Sequence, residues 1–220
     1  MHVRSDSFEP YDYLPGKHAF CVPADEGHVA LADNLNPHLA WSGVPEGTRS
    51  LALLCFDPEV PSEGTHVNVE GETVPLDLPR VDFFHWVVAD LPADLAEIPA
   101  GSHSSGVTAK GKPPGATPHG GVQGINDYTG WFAGDPDMGG DYGGYDGPCP
   151  PWNDERVHSY HFAVYALDVE SLGLSGSFTG QQVREAMAEH VLDSAEIVGL
   201  FTLNPLVRQK LCGKAIDRLD

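Results

Sequence analysis

Three stretches of the chain have the hydrophobic pattern of β-strands. They are SLALLCF at residues 50–56, FFHWVVADLP at 83–92 and SYHFAVYALD at 159–168. In the third, the period of two places residues 160, 162, 164 and 166 on one face and residues 161, 163, 165 and 167 on the other. His158 precedes this strand and lies on the side of Tyr160. The pattern therefore predicts a β-rich protein with a histidine at the mouth of one strand.

The C-terminal third adds a last strand and short helices. EIVGLFTL at residues 196–203 predicts the strand, and Thr179 with Gln182 has the spacing of a capping box. The box opens a helix predicted to carry Val183, Met187 and Val191 on one face. A short terminal helix is predicted within residues 209–220. Residues 101–146, by contrast, are dominated by glycine, proline and small polar residues, which do not favour long elements.

Polar residues interrupt the hydrophobic strands at positions that could form a pocket. Asp57 follows the first strand, in DPEVP, and His85 lies inside the second. The proline-rich loop GPCPP at residues 147–151 leads toward His158, and proline makes such a loop stiff because it fixes φ. Buried polar groups need partners, so they mark a candidate site. The structural alternatives are a core histidine at His85 and a turn cap at Asp57.

The order and spacing of these blocks resemble the phosphatidylethanolamine-binding protein family, in the bacterial and archaeal branch related to the Raf kinase inhibitor protein. The likeness extends from NPHLAWSGVPEGTRSLAL to EIVGLFTL. It implies one domain over residues 1–220, mainly β, with a central antiparallel β-sandwich and a few peripheral short helices. A Gly/Asp-rich insertion at about residues 120–146 is longer than the family's usual segment, and we expect it to form a lid or a contact surface.

The resemblance also implies a pocket for a small anion, such as phosphate or the phosphorylated headgroup of a phospholipid. Histidines, a tyrosine hydroxyl and loop amides would donate to the anion, while Asp57 would accept from a histidine N–H and fix its tautomer. Acidic Asp154 and Glu155 are expected near the rim, where they would disfavour a highly charged ligand. The predicted ligand-binding residues are Asp57, Pro61, Phe83, His85, Gly147, Cys149, Pro150, Pro151, His158 and Tyr160.

Two other functions stay open at this point. A hydrolase or metal-dependent enzyme would use Asp57, His85 and His158 as acid-base groups, with Cys149 or a metal-bound water as nucleophile. The chain has neither a G-x-S-x-G elbow nor an HExxH helix, so we predict no catalytic residue, no metal and no cofactor. A regulatory protein that inhibits a kinase or a protease, as family relatives do, would use the insertion as its contact surface.

The four cysteines are far apart and form no CxxC pair, which argues against a zinc finger or a thioredoxin-like site. Cys55 lies in a hydrophobic strand and is predicted to be a small buried residue. Cys149 lies in the pocket loop, where many relatives have glycine or alanine. A solitary thiol there is either a nucleophile or a small residue that fits.

Composition narrows the set of partners. The 220 residues carry 32 acidic and 12 basic side chains, for a formal net charge of −20. Such a chain is repelled by nucleic-acid phosphates and by anionic lipid surfaces, so we expect neither nucleic-acid binding nor stable membrane insertion. No signal-peptide-like stretch is present, which favours a cytoplasmic location. The acidity serves either solubility or adaptation to high salt, and the oligomeric state stays open.

Overall fold

In the computed structural model, which describes residues 1–211, the chain is mainly β, as the sequence predicted. The strands are β1 (His2–Arg4), β2 (Cys21–Pro23), β3 (Val29–Leu31), β4 (Leu39–Ser42), β5 (Ser50–Pro61), β6 (Arg80–Pro92), β7 (Glu97–Ile98), β8 (Gly115–Ala116), β9 (Val122–Gln123), β10 (His158–Leu167) and β11 (Val191–Phe201). The helices are a 3-10 turn (Gly16–His18), α1 (Tyr128–Trp131), α2 (Gly180–Met187) and α3 (Pro205–Leu211).

The three hydrophobic stretches form the centre of the main sheet. This sheet has six antiparallel strands in the order β11-β10-β5-β6-β9-β8. Strand β5 lies between β6 and β10 and is antiparallel to both, so its C-terminal part and the N-terminal parts of β6 and β10 meet at one end of the sheet. That arrangement brings the candidate residues of the three sequence blocks to one place.

Both faces of the main sheet are covered, which explains why its central strands are hydrophobic on both sides. A smaller sheet of order β1-β4-β7 covers one face, and the core between the two sheets includes Trp41, Trp86 and Phe162. The antiparallel β-sandwich is therefore confirmed. On the opposite face, α2 packs Val183 and Met187 onto the sheet.

Helix α2 begins with the predicted capping box. The Thr179 side chain accepts from the Gln182 backbone N–H, and the Gln182 side chain accepts from the Thr179 backbone N–H. The helix ends at Met187, so the prediction that it extends to Val191 is wrong. Val191 instead begins β11, where it pairs with Leu167.

The predicted terminal helix at residues 209–220 overlaps α3 at residues 209–211. Its other residues, 212–220, including Cys212, lie outside the described part of the chain, so the prediction is not tested there. Within residues 1–211, no helix combines the length and apolar character that crossing a membrane requires.

Candidate functional site

A cavity of about 440 Å³ opens beside the C-terminal part of β5 and the N-terminal parts of β6 and β10. Asp57 and His85 lie on its polar floor together with Tyr160. Aromatic and aliphatic side chains form most of the wall above them. The lining residues are Phe20, Cys21, Leu31, Asp57, Val60, Pro61, Gly64, Val67, Asn68, Phe83, His85, Tyr128, Trp131, Phe132, Met138, Cys149, Pro150, Pro151 and Tyr160.

Strand pairing sets the positions of the floor residues. Asp57 on β5 lies opposite Phe83 on β6, and the register shifts between Asp57 and Val60. Such an irregularity bends a strand away from its partner and re-aims the side chains beside it. The Glu59 backbone N–H donates to the Asp57 carboxylate over 2.8 Å. The bend therefore both opens the cavity and holds the carboxylate at its floor.

A row of four charged groups begins with Asp57 on the floor and continues beneath it. His158 donates from Nδ1 to the Asp57 carboxylate over 2.7 Å and from Nε2 to the Asp154 carboxylate over 3.2 Å. Arg80 then donates to both oxygens of Asp154, over 2.5 and 3.3 Å. The signs alternate along the row, so each buried charge has an opposite neighbour.

The pKa shifts of His158, Asp57 and Asp154 all favour their ionised forms near neutral pH. Burial alone would lower the pKa of His158, but the charge of Asp57 and the hydrogen bonds to Asp154 and Asp57 raise it to about 9. Burial alone would raise the pKa of Asp57, yet the charge and hydrogen bond of His158 lower it overall. Because both its ring nitrogens are used, His158 has no N–H to offer a ligand.

His85 has the opposite electrostatic character. Burial lowers its pKa to about 4, although the nearby Asp57 charge and the backbone at Asp146 act to raise it. The imidazole is therefore neutral at pH 7. Its Nδ1 lies 2.8 Å from the Asp146 carbonyl oxygen, to which it donates. The two histidines thus differ: one is a buried cation and the other a neutral ring on the cavity surface.

The backbone that positions His85 is itself fixed by a buried carboxylate. The Asp146 side chain accepts from Asn34 over 2.7 Å, from Asn126 over 2.8 Å and from Lys112 over 2.7 Å. Each of these donors comes from a different loop. The network therefore holds the start of the proline loop against β6, where the carbonyl of residue 146 meets the imidazole.

Gly147 is needed for close approach rather than for ligand contact. A Cβ atom at this position would lie 2.1 Å from the His18 carbonyl oxygen and 2.9 Å from the Tyr145 hydroxyl. Its backbone N–H donates to the Asn34 side chain, and its carbonyl accepts from the Tyr128 hydroxyl over 2.8 Å. Any side chain here would push the proline loop away from the 3-10 turn.

A second loop, which we call the strap (residues 62–79), closes the other side of the cavity. Buried Asn153 holds it: the amide donates to the carbonyls of His66 and Glu72, and its oxygen accepts from the Asn68 backbone N–H. In addition, the side-chain oxygen of Asn68 accepts a hydrogen bond from the Trp152 backbone N–H. The strap and the proline loop are therefore joined at the cavity mouth.

Eight of the ten sequence-predicted site residues line the cavity, and two do not. Gly147 and His158 lie behind its surface, for the reasons given above. The eight are Asp57, Pro61, Phe83, His85, Cys149, Pro150, Pro151 and Tyr160.

Sequence reasoning missed much of the wall. Phe20 comes from the N-terminal region, and Tyr128, Trp131, Phe132 and Met138 come from the predicted insertion. These residues follow no hydrophobic period, so the available signal was only the density of aromatic residues in a loop otherwise rich in glycine. Phe20 stacks on Tyr128 with ring centroids 4.5 Å apart, which ties the two segments together.

The hypothesis of a solitary thiol at Cys149 is wrong. Cys149 forms a disulfide with Cys21, 128 residues earlier in the chain, and both residues line the cavity. Its sulfur is therefore bonded and is not a thiolate nucleophile. Cys55 is the free cysteine of the described residues and is fully buried, as predicted.

The expectation of an acidic rim is also wrong in its main part. Asp154 is buried, and burial, which raises its pKa, is outweighed by the hydrogen bonds of His158 and Arg80, which lower it. Glu155 is exposed and does not line the cavity. Among residues 1–211, no group of three or more His, Cys, Asp or Glu side chains has an arrangement that could hold a metal ion.

Fold and site together define an antiparallel β-sandwich with a ligand-sized pocket at one end. Residues 4–202 match the family model described as phosphatidylethanolamine-binding protein. The chain belongs to this family, as the sequence blocks indicated.

Two relatives match along nearly their whole length. The UPF0098 protein YbhB of Escherichia coli is 31% identical over 92% of this chain and 100% of its own. A UPF0098 protein of Methanothermobacter thermautotrophicus is 35% identical over 91% of this chain and 98% of its own. Among solved structures, E. coli YbcL, described as a member of the mammalian PEBP family, superposes with a TM-score of 0.64 and 26% identity. That match covers 91% of this chain and 97% of YbcL.

Proposed function

We propose that the protein binds a small amphiphilic ligand whose anionic, phosphate-type head lies on the floor formed by Asp57, His85 and Tyr160. The observation that carries the proposal is a cavity of about 440 Å³ with polar groups at the bottom and apolar side chains on the wall. Pockets of this size and lining are typical of small-molecule sites. Membership of a family named for binding a phospholipid with a phosphorylated headgroup supports the same ligand class.

The charges of the site imply that anion binding is coupled to proton uptake. Asp57 is ionised, and the His158 cation behind it offsets its charge, so an arriving anion meets no net positive charge from this pair. Protonating His85 supplies that charge. An anion held against the imidazolium would raise its pKa from about 4 toward neutrality. Affinity for an anion should therefore rise as the pH falls from 8 toward 5.

The apolar wall should contribute affinity in proportion to the tail it covers. Phe83, Phe132 and Trp131 line the space above the floor, and Trp131 is 53% exposed at the mouth. A buried methylene contributes about 0.8 kcal/mol, or roughly fourfold in Kd. An alkyl phosphate should accordingly bind more tightly than inorganic phosphate.

Isothermal titration calorimetry with acetate, inorganic phosphate, phosphoethanolamine and hexyl phosphate tests the proposal at pH 5, 6.5 and 8. We expect hexyl phosphate to bind most tightly and the affinity to increase at low pH. His85→Gln should weaken binding at pH 5 at least tenfold, because the amide cannot become a cation. His161→Gln is the matched control, since that imidazole lies on the opposite face of β10. Equal affinity in wild type and His85→Gln would exclude His85 as the anion contact.

The other functional predictions are not tested by this geometry and stay predictions. A binding role is preferred to a catalytic one because Cys149 is bonded and the ring nitrogens of His158 are both used by carboxylates. The kinase or protease partner and the cytoplasmic location are carried over from the sequence alone.

A further inference from the structure

We propose that the disulfide Cys21–Cys149 in the cavity wall is a thiol-exchange site, at which a small thiol entering the cavity becomes bonded to Cys149. Both cysteines line the cavity, so the disulfide faces the space that a ligand would occupy. Cys149 is partly exposed, whereas Cys21 is only 5% exposed. The geometry thus presents Cys149 to an incoming thiolate and keeps Cys21 behind it.

The exchange is balanced without any further oxidant. The thiolate sulfur of the small thiol forms a bond to Sγ of Cys149, and the bond between the two cysteine sulfurs breaks. The electron pair of that bond leaves with Sγ of Cys21, which becomes a thiolate and takes up a proton. The products are a mixed disulfide on Cys149 and a free thiol on Cys21. Attack of the Cys21 thiolate on Sγ of Cys149 expels the small thiol and reverses the step, whereas a second small thiol completes the reduction by releasing Cys149 and leaving as a small-molecule disulfide.

The surrounding fold does not depend on the disulfide to hold the two segments together. The backbone N–H groups of Phe20 and Cys21 both donate to the Pro148 carbonyl, over 2.9 and 3.1 Å. The Tyr145 hydroxyl donates to the His18 carbonyl over 2.7 Å. These bonds join the same two segments directly N-terminal to the two cysteines. Opening it should therefore leave the cavity wall in place, so that the reaction is local and reversible.

The mixed disulfide would fill the cavity with the substituent of the thiol. Within a space of about 440 Å³, that substituent competes with any other occupant. The inference rests on the cavity and on the position of the disulfide, and it is independent of whether the natural ligand is an anion. The protein would thus take small thiols as covalent ligands and release its other ligand when it does so.

Peptide mapping by mass spectrometry tests the inference. Native Cys212→Ser protein is incubated with 2-mercaptoethanol, quenched with N-ethylmaleimide and digested. We expect 2-mercaptoethanol on Cys149 and N-ethylmaleimide on Cys21, with the buried Cys55 unmodified. As a bulky comparison reagent, we use a second protein that carries a single surface cysteine and is too large to enter the cavity. This reagent should react with the disulfide at least tenfold more slowly than 2-mercaptoethanol does. An adduct on Cys21, equal rates for the two thiols, or no exchange without denaturant would each overturn the inference.

Two single variants give a second, independent test, in which the protein thiol attacks a small-molecule disulfide. Cys21→Ser leaves Cys149 as a thiol at the cavity surface, and Cys149→Ser leaves Cys21 buried. Incubated with bis(2-hydroxyethyl) disulfide, the first variant should form the mixed disulfide at least ten times faster than the second. Circular dichroism establishes that both are folded, as the backbone hydrogen bonds predict. Equal rates in the two folded variants would contradict the assigned asymmetry.

Discussion

His158 and His85 show that one residue type can serve either as a buried cation that stabilises the fold or as a neutral group on the cavity surface. We expect His158→Gln to lower the free energy of unfolding by about 3 kcal/mol at pH 6.5, because it leaves two buried carboxylates with one fewer positive partner. The wild-type contribution is fully present below pH 6.5 and is lost as the pH rises through about 9, since the folded pKa is the higher one. Urea unfolding between pH 6 and 9.5 measures both effects.

The matched variant for this prediction is His161→Gln, three residues further along the same strand. Its imidazole is partly exposed and lies 3.1 Å from the exposed carboxylate of Glu196. Exposed ion pairs of this kind contribute about 0–1 kcal/mol. The variant should therefore keep the decline in stability between pH 6.5 and 9, and a similar loss in both variants would disprove the assignment to His158.

The alternation of residues along a strand was enough to predict that His158 and Tyr160 face the same side. Asp57 was predicted to follow its strand, but it lies inside β5, which continues to Pro61 beyond a register shift. The electrostatic roles were not predictable in this way. They depend on Asp154, which contacts His158 from a loop, and on Arg80 of β6, which pairs with Asp154, and no sequence period indicates either contact. For the same reason the bond from Cys21 to Cys149 was missed, because a separation of 128 residues carries no local signal.

The strap provides a prediction about a whole loop. Asn153→Ala removes the hydrogen bonds that hold residues 66–72, and at about 1 kcal/mol each the loss of stability should be about 2–4 kcal/mol. Hydrogen exchange of backbone amides in residues 66–72 should accelerate selectively. Binding of hexyl phosphate should weaken as well, because Val67 and Asn68 line the cavity.

Asn36→Ala is the control for the strap. Asn36 is also buried and also holds a loop, donating to the Pro99 carbonyl and accepting from the backbone N–H groups of His103 and Ser104. It does not line the cavity. This variant should lose comparable stability without faster exchange in residues 66–72, and faster exchange there in both variants would mean that the effect is global.

Long strands and the capped helix were predictable because each carries its own pattern. Strands β5, β6 and β10 follow hydrophobic runs, and α2 starts at its capping box. The pocket wall from residues 128–138 was not predictable, because its helix has four residues and its apolar side chains follow no regular spacing. Such a segment takes its structure from contacts to distant residues, as in the stacking of Phe20 on Tyr128.

The net charge of −20 is a property of the whole molecule. The dependence of the free energy of unfolding on salt concentration therefore tests whether the protein is adapted to high salt. Charge repulsion acts over about 10 Å at 0.1 M salt and about 3 Å at 1 M. If the surface is adapted to high salt, the free energy of unfolding should rise by more than about 1 kcal/mol between 0.1 and 2 M KCl. The triple variant Glu26→Gln, Glu46→Gln and Glu189→Gln removes three exposed charges and should show a smaller rise. Urea unfolding at both salt concentrations measures this change in the free energy of unfolding. Equal stability of the wild type at the two concentrations would leave solubility as the explanation of the acidity, because solubility requires charge but no dependence of folding on salt.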